Sequence, residues 1–209
     1  MNLIEFEKIF RSEIAPLYIN HQNSFDADDI HGCLHISRSL VICRMLACKL
    51  IELGYEIDLD KITYAVAFHD SGRKSNGIDY WENSSREICY NYILSKGYDS
   101  FYAESISNMI VKNQNTIKDY NYSCLFDSDV LEIMRPSCGV GVYNFNKSYL
   151  KLNHVLTDYD SIINEIIPFI LETEQEKLIY SDENSLKNII DYIVTNKEKY
   201  PNLYVSVNS

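Results

Sequence analysis

The sequence predicts an all-α fold, a helical bundle, on three observations. Helical hydrophobic periodicity dominates and strand-like alternation is scarce. Only 4 Pro and 7 Gly interrupt 209 residues, and most fall where helices should end. There is no repeat, low-complexity tract or long linker, so residues 1–209 read as one domain. Within it, 28–135 carries the chemical motifs and 136–209 reads as a helical extension packed on that core.

The elements follow in order. A short helix covers Leu3 to Phe10, and Pro16 lies past its end. The acidic cluster Asp26, Asp28 and Asp29 precedes a long helix from Ile30 to Leu53, because an aspartate there can cap free N–H groups. Gly54 is a natural stop. Asp58 or Asp60 caps a helix that ends at His69, and Ser71 to Asp79, with two glycines, reads as a loop. Further helices are expected over Ser84–Ser95, Ser100–Asn113 and Ser123–Arg135, the last ended by Pro136. After an irregular stretch from Ser137 to Lys147, helices are expected over Tyr149–Leu156, Ser161–Tyr180 and Ser185–Tyr200. Pro168 should kink or split the second of these.

Hydrophobic residues at 46% and charged residues at 23% describe a folded chain rather than a disordered one. The formal net charge of −11 repels phosphate backbones, which argues against general nucleic-acid binding and leaves room for a pocket taking one small phosphate. No apolar run approaches the ~20 residues of a membrane span, so no membrane partner is expected. The N-terminus lacks the basic start and apolar core of a cleaved signal peptide, which points to the cytoplasm. None of the six cysteines has C-x-x-C spacing, and they read as reduced packing residues.

Five histidines make their placement informative. His31 and His35 are four apart, one turn apart on a predicted helix. His69 and Asp70 are adjacent where the next helix turns into the glycine-bearing loop, and Asp127 and Asp129 sit in LFDSDVLEIMR. Imidazoles and carboxylates converging from several helices are how bundles build metal sites. His35, His69, Asp70 and Asp129 form a two-nitrogen, two-carboxylate set without thiolate, which suits one divalent ion among Mn, Fe, Co, Ni or Mg. Such an ion activates bound water and polarises a phosphoryl oxygen. Arg73 and Lys74 follow the pair as phosphate partners, and Asp79, Trp81 and Glu82 come next as sugar or base contacts. His21 reads as a surface residue, and Arg38 as a brace for a carboxylate on a neighbouring helix.

His35 in H-I-S-R, the pair in AFHDSGR and Asp129 in S-D-V-L-E resemble the HD superfamily of phosphohydrolases, over about Asp28 to Arg135. That resemblance implies a helical bundle with one metal held by His35, His69, Asp70 and Asp129. Asp127 is the alternative to Asp129. Asp70 would also orient the attacking water, with His31 and Arg73 beside it as catalytic groups and a nucleotide-like phosphoester as substrate. His31, Glu82 and His154, with HDSGR and VLEIMRP between them, also resemble the phosphodiesterase domains of SidE-type bacterial effectors. That second resemblance implies cleavage of the pyrophosphate of ADP-ribosylated ubiquitin by histidines instead of a metal, and allows export as an effector. A silent module that binds a nucleotide or protein on the same scaffold is the third reading.

Overall fold

The computed structural model describes residues 1–27, 30–76, 80–111, 119–133, 159–175 and 181–209. Among them every regular element is helical, as the periodicity predicts. The expected helix at Tyr149–Leu156, the irregular stretch before it, Pro136 and His154 lie outside the described residues, as do Asp28, Asp29, Asp79 and Cys138.

Helix α1 (Leu3–Ile9) opens with a capping box: Asn2 accepts from the Glu5 N–H, and the Glu5 carboxylate accepts from the Asn2 N–H. The chain does not leave the helix there, as the sequence suggested. A π-turn over Phe10–Ile14 leads straight into α2 (Ala15–Ser24), with Pro16 in its first turn. Pro16 has no N–H to give, so a helix start tolerates it. The ladder before it slips by one residue, and Ala15 N–H reaches the Phe10 carbonyl.

Helix α3 (Cys33–Glu52) is the central element. Nearly every residue from Cys33 to Ala47 is buried, polar His35, Arg38 and Arg44 included, so the helix is enclosed on all sides. It starts three residues later than expected, which leaves His31 in the turn before it. Helix α4 (Leu59–Phe68) is capped by Asp58, whose carboxylate accepts from Lys61 N–H at 3.0 Å, and ends at His69. Next come α5 (Trp81–Ser95), α6 (Ser100–Ser107) running into a 3₁₀ turn over Asn108–Ile110, and α7 (Tyr120–Glu132), capped by Asp119. Gly54 and Gly97 hold φ of 88° and 86° after their helices, where a side chain would be strained.

The last third contains α8 (Tyr159–Gln175), continuous through Pro168, then α9 (Ser185–Thr195) and α10 (Pro201–Asn208). The sequence suggested one helix to Tyr200. The structure ends α9 at Thr195 and restarts at Pro201, again with proline in a first turn. Buried Ile166, Phe169 and Ile170 of α8, Leu186, Ile189 and Ile193 of α9, and Leu203 and Val207 of α10 join the core around α3. Two carboxylates of α8 fasten these helices. Glu165 accepts from the Leu203 N–H, and Glu172 accepts from the Tyr192 and Tyr200 hydroxyls. Helices α3, α4 and α7 pack on one another, and that mutual contact brings the chemical motifs together.

Candidate functional site

Each contributor reaches the site from a different element. Helix α3 supplies His35 and Arg38, the α4 C-terminus supplies His69 and Asp70, and α7 supplies Asp129 and Glu132. Between the ends of α2 and α3, the turn at Ile30–Gly32 supplies His31. His35 and Glu132 are fully buried; His69 and Asp70 are 2% exposed and Asp129 6%.

His69 Nδ1 lies 2.7 Å from the Val66 carbonyl, a bond only an N–H can make, so Nδ1 is the donor there and Nε2 faces the cluster. His35 Nδ1 is bound to the Glu132 carboxylate, which leaves His35 Nε2 facing the same centre. The two Nε2 atoms are 3.3 Å apart. Asp129 Oδ1 is 3.5 Å from His35 Nε2 and 3.4 Å from His69 Nε2. Asp70 Oδ2 is 3.7 Å from each. Of the two aspartates on α7, Asp129 is therefore the one beside the histidines. Asp127 is fully buried and acts electrostatically on Cys43 and Cys124, two thiols that burial holds well above their usual range.

Arg38 Nε donates to the other oxygen of Glu132 at 2.7 Å, the bracing role its position suggested. Glu132 is the site residue that the sequence reading missed. Its signal was the three-residue spacing from Asp129, which puts both on one face of α7. Burial alone would lower the His35 pKa. The Glu132 carboxylate, followed by Asp129, outweighs burial and raises it to about 10.

Asp70 divides its oxygens. Oδ2 holds His31 Nδ1 at 2.8 Å, and Oδ1 pairs with Arg73 Nε at 2.9 Å. Burial opposes its charge, but His69, His31 and Arg73 outweigh burial and hold the carboxyl far below its ordinary range. The Arg73 guanidinium lies 3.5 Å from the centroid of the Trp81 ring, so the loop after the pair is pinned to the first turn of α5. Arg73 thus faces Asp70. Gly72 makes this contact tight: its N–H donates to Ser85 Oγ, and a Cβ there would sit 2.4 Å from Ser85 N.

His31 is the least buried member, with 12% of its side chain exposed, and its ring centroid is 5.9 Å from that of His35. With Nδ1–H given to Asp70, its Nε2 carries a lone pair. Lys74 is exposed and Glu82 half-buried beside Trp81. His21 is not the surface residue expected. It is half-buried at the end of α2, with its ring against Tyr18 and Phe25 at 5.6 and 5.1 Å between centroids. Cys43, Cys48, Cys89 and Cys124 carry free thiols. No described helix is long and apolar enough to cross a membrane.

The sequence model of the SidE phosphodiesterase (PDE) domain family matches residues 29–193. The matched stretch takes in His31, His35, His69, Asp70, Asp129 and Glu132. No curated protein and no solved structure matches the chain. The match covers well over half of the sequence and every histidine and carboxylate of this cluster, and the chain belongs to the SidE phosphodiesterase domain family.

Proposed function

We propose that the chain is a phosphodiesterase whose reacting group is His31, acting on the pyrophosphate of an ADP-ribose unit attached to a protein. The observation that carries this is the Asp70–His31 pair at 2.8 Å on the one histidine of the cluster that keeps exposure. A buried carboxylate on Nδ1 fixes the tautomer with the lone pair on Nε2 and stabilises the positive charge that attack places on the ring. Family membership supports the reaction class.

The steps balance as follows. His31 Nε2 attacks one phosphorus, a P–N bond forms, the bridging P–O bond breaks, and AMP departs. Asp70 holds the Nδ1–H throughout. Water then attacks the same phosphorus, the P–N bond breaks, one proton goes to solvent, and phosphoribosyl-protein is released. Arg73 holds Asp70 in place for this. Lys74, Asp79 and Glu82 are proposed to contact the phosphates and sugar.

A second reading, the metal-dependent hydrolysis of the HD superfamily, is favoured by one observation. Four donor atoms, of His35, His69, Asp70 and Asp129, are separated by 3.3 to 3.7 Å in five of their pairings. His35, His69 and Asp129, with Asp70 beside them, are close enough to share one ion, the nitrogen and carboxylate donors suit Mn, Fe, Co, Ni or Mg, and Glu132 is the carboxylate that orients such a histidine. When bound, the ion would supply a Lewis acid and an activated water.

One experiment separates the readings: cleavage of ADP-ribosylated ubiquitin by protein exhaustively treated with chelator, with elemental analysis of the parent and His69→Ala. The proposal expects AMP release to survive chelation. Activity abolished by chelation and restored by Mn, with about one equivalent of metal that His69→Ala loses, would overturn it in favour of the metal reading.

A further inference from the structure

The N-terminal segment, before the matched residues 29–193, reaches the turn bearing His31 through Asp26. Asp26 is completely buried. Its Oδ1 accepts from the Ile30 N–H at 2.9 Å and its Oδ2 from the His31 N–H at 2.8 Å. Both oxygens of a buried carboxylate are thus spent on the backbone of the turn that presents the reacting histidine. A charged acceptor makes such bonds shorter and stronger than a neutral one.

Asp26 is itself held from several sides. Its N–H and that of Phe25 both donate to the His21 carbonyl, at 3.0 and 2.8 Å, which closes the end of α2. The Phe25 carbonyl accepts from Asn76 Nδ2 at 3.0 Å, which ties that end to the loop carrying Arg73. Upstream on α2, the Tyr18 hydroxyl donates to the Ala67 carbonyl at 2.7 Å, two residues before His69. Gln22 Nε2 donates to the Ser181 carbonyl, and Ser181 Oγ accepts the Leu34 N–H in the first turn of α3. Helix α2 therefore touches both sides of the Asp70–His31 contact: the turn bearing His31, and the α4 end and loop bearing Asp70 and Arg73.

We propose that Asp26 is a positioning residue: by holding the Ile30 and His31 amides it fixes the His31 ring against Asp70. This rests on the reading of His31 as the reacting group. Without Asp26, the turn before α3 has two partly buried amides to satisfy elsewhere, and the ring loses the backbone that aims it. A misplacement of about 1 Å costs on the order of 100-fold in rate, and it falls on kcat because substrate contacts elsewhere are untouched.

The test uses the full chain with Asp26→Ala and Asp26→Asn, the second keeping the size and one acceptor oxygen, and ADP-ribosylated ubiquitin as probe. Asp26→Ala is expected to lower kcat by about 10- to 100-fold with KM little changed, and Asp26→Asn to fall between it and the parent. A second readout needs no turnover: ¹⁵N-imidazole NMR of the free protein. The hydrogen-bonded Nδ1–H signal of His31 should shift or vanish in Asp26→Ala and be less displaced in Asp26→Asn. If Asp26→Ala fails to fold, Asp26→Asn decides on both readouts. Parent kcat in the folded variants, or an unchanged His31 ring signal, would overturn the proposal. Full activity of His31→Ala would sink the reading of His31 instead, and the NMR signal would still show whether Asp26 places that ring.

Discussion

At the scale of single residues, the site is a set of carboxylates each serving two partners. Asp70 serves His31 and Arg73, and Glu132 serves His35 and Arg38. A buried charge is tolerated only when paired, and removing one member leaves the others uncompensated. Glu132→Gln leaves Arg38, 1% exposed, against a neutral amide. The expected loss is about 3–5 kcal/mol of stability, read by urea unfolding at neutral pH; an unchanged midpoint would contradict the pairing. The pH profile carries the same signature. His35, raised to about 10, contributes stability that is complete below its unfolded value near 6.5 and is lost as pH rises through 10. Glu132→Gln should flatten that alkaline loss. Of these residues, His35, His69, Asp70 and Asp129 were legible in the sequence because histidines are scarce and their spacings recur. Glu132 was not, since a glutamate three residues from an aspartate is common on any helix. Asp26 was legible as a cap, but its partner is the turn holding His31 rather than a helix.

At the scale of elements, the residues assemble because α3, α4 and α7 pack together while a loop and a turn complete the rim. The helix cores were legible from periodicity and capping residues: Asp58, Gly54 and Gly97 act as their types predict. What could not be read were the places where proline starts a helix. Pro16 and Pro201 look like breaks along the sequence, yet both stand in first turns where no N–H is needed. His21 was placed at the surface as a lone histidine usually is, whereas the end of α2 half-buries it against Tyr18 and Phe25. The contact between the Asp70 loop and α5 also escaped the sequence, since the glycine there serves close approach rather than a turn. Gly72→Ala tests that contact. Its Cβ would meet Ser85 backbone at 2.4 Å, so α5 or the loop must move, and Arg73 leaves Trp81 or Asp70. Cleavage should fall by about 10-fold or more while far-ultraviolet circular dichroism keeps its helical signature. Parent activity would show that the loop position does not matter.

At the scale of the whole molecule, one helical body holds two overlapping arrangements of donors. The inner one, His35, His69 and Asp129 with Asp70 beside them, brings together donors that could hold an ion. The outer one, His31 on Asp70, has the geometry of a nucleophile with its orienting carboxylate. Asp70 belongs to both, so its loss cannot tell them apart, and His31 must carry the test. Helix α2 braces the outer arrangement, and α8 to α10 pack on α3, with α9 and α10 also against α1. Glu172 ties the C-terminal helices to one another, and despite its own burial Lys199 and two tyrosines hold it at about 2, below the ordinary range. The most direct measurement is mass spectrometry of the chain quenched in alkaline denaturant during turnover of ADP-ribosylated ubiquitin, with peptide mapping of the adduct. The account predicts a phosphoribosyl-protein adduct on the peptide containing His31, formed during turnover and gone after it, and none in His31→Ala. Steady turnover with no adduct on that peptide at any time would contradict it.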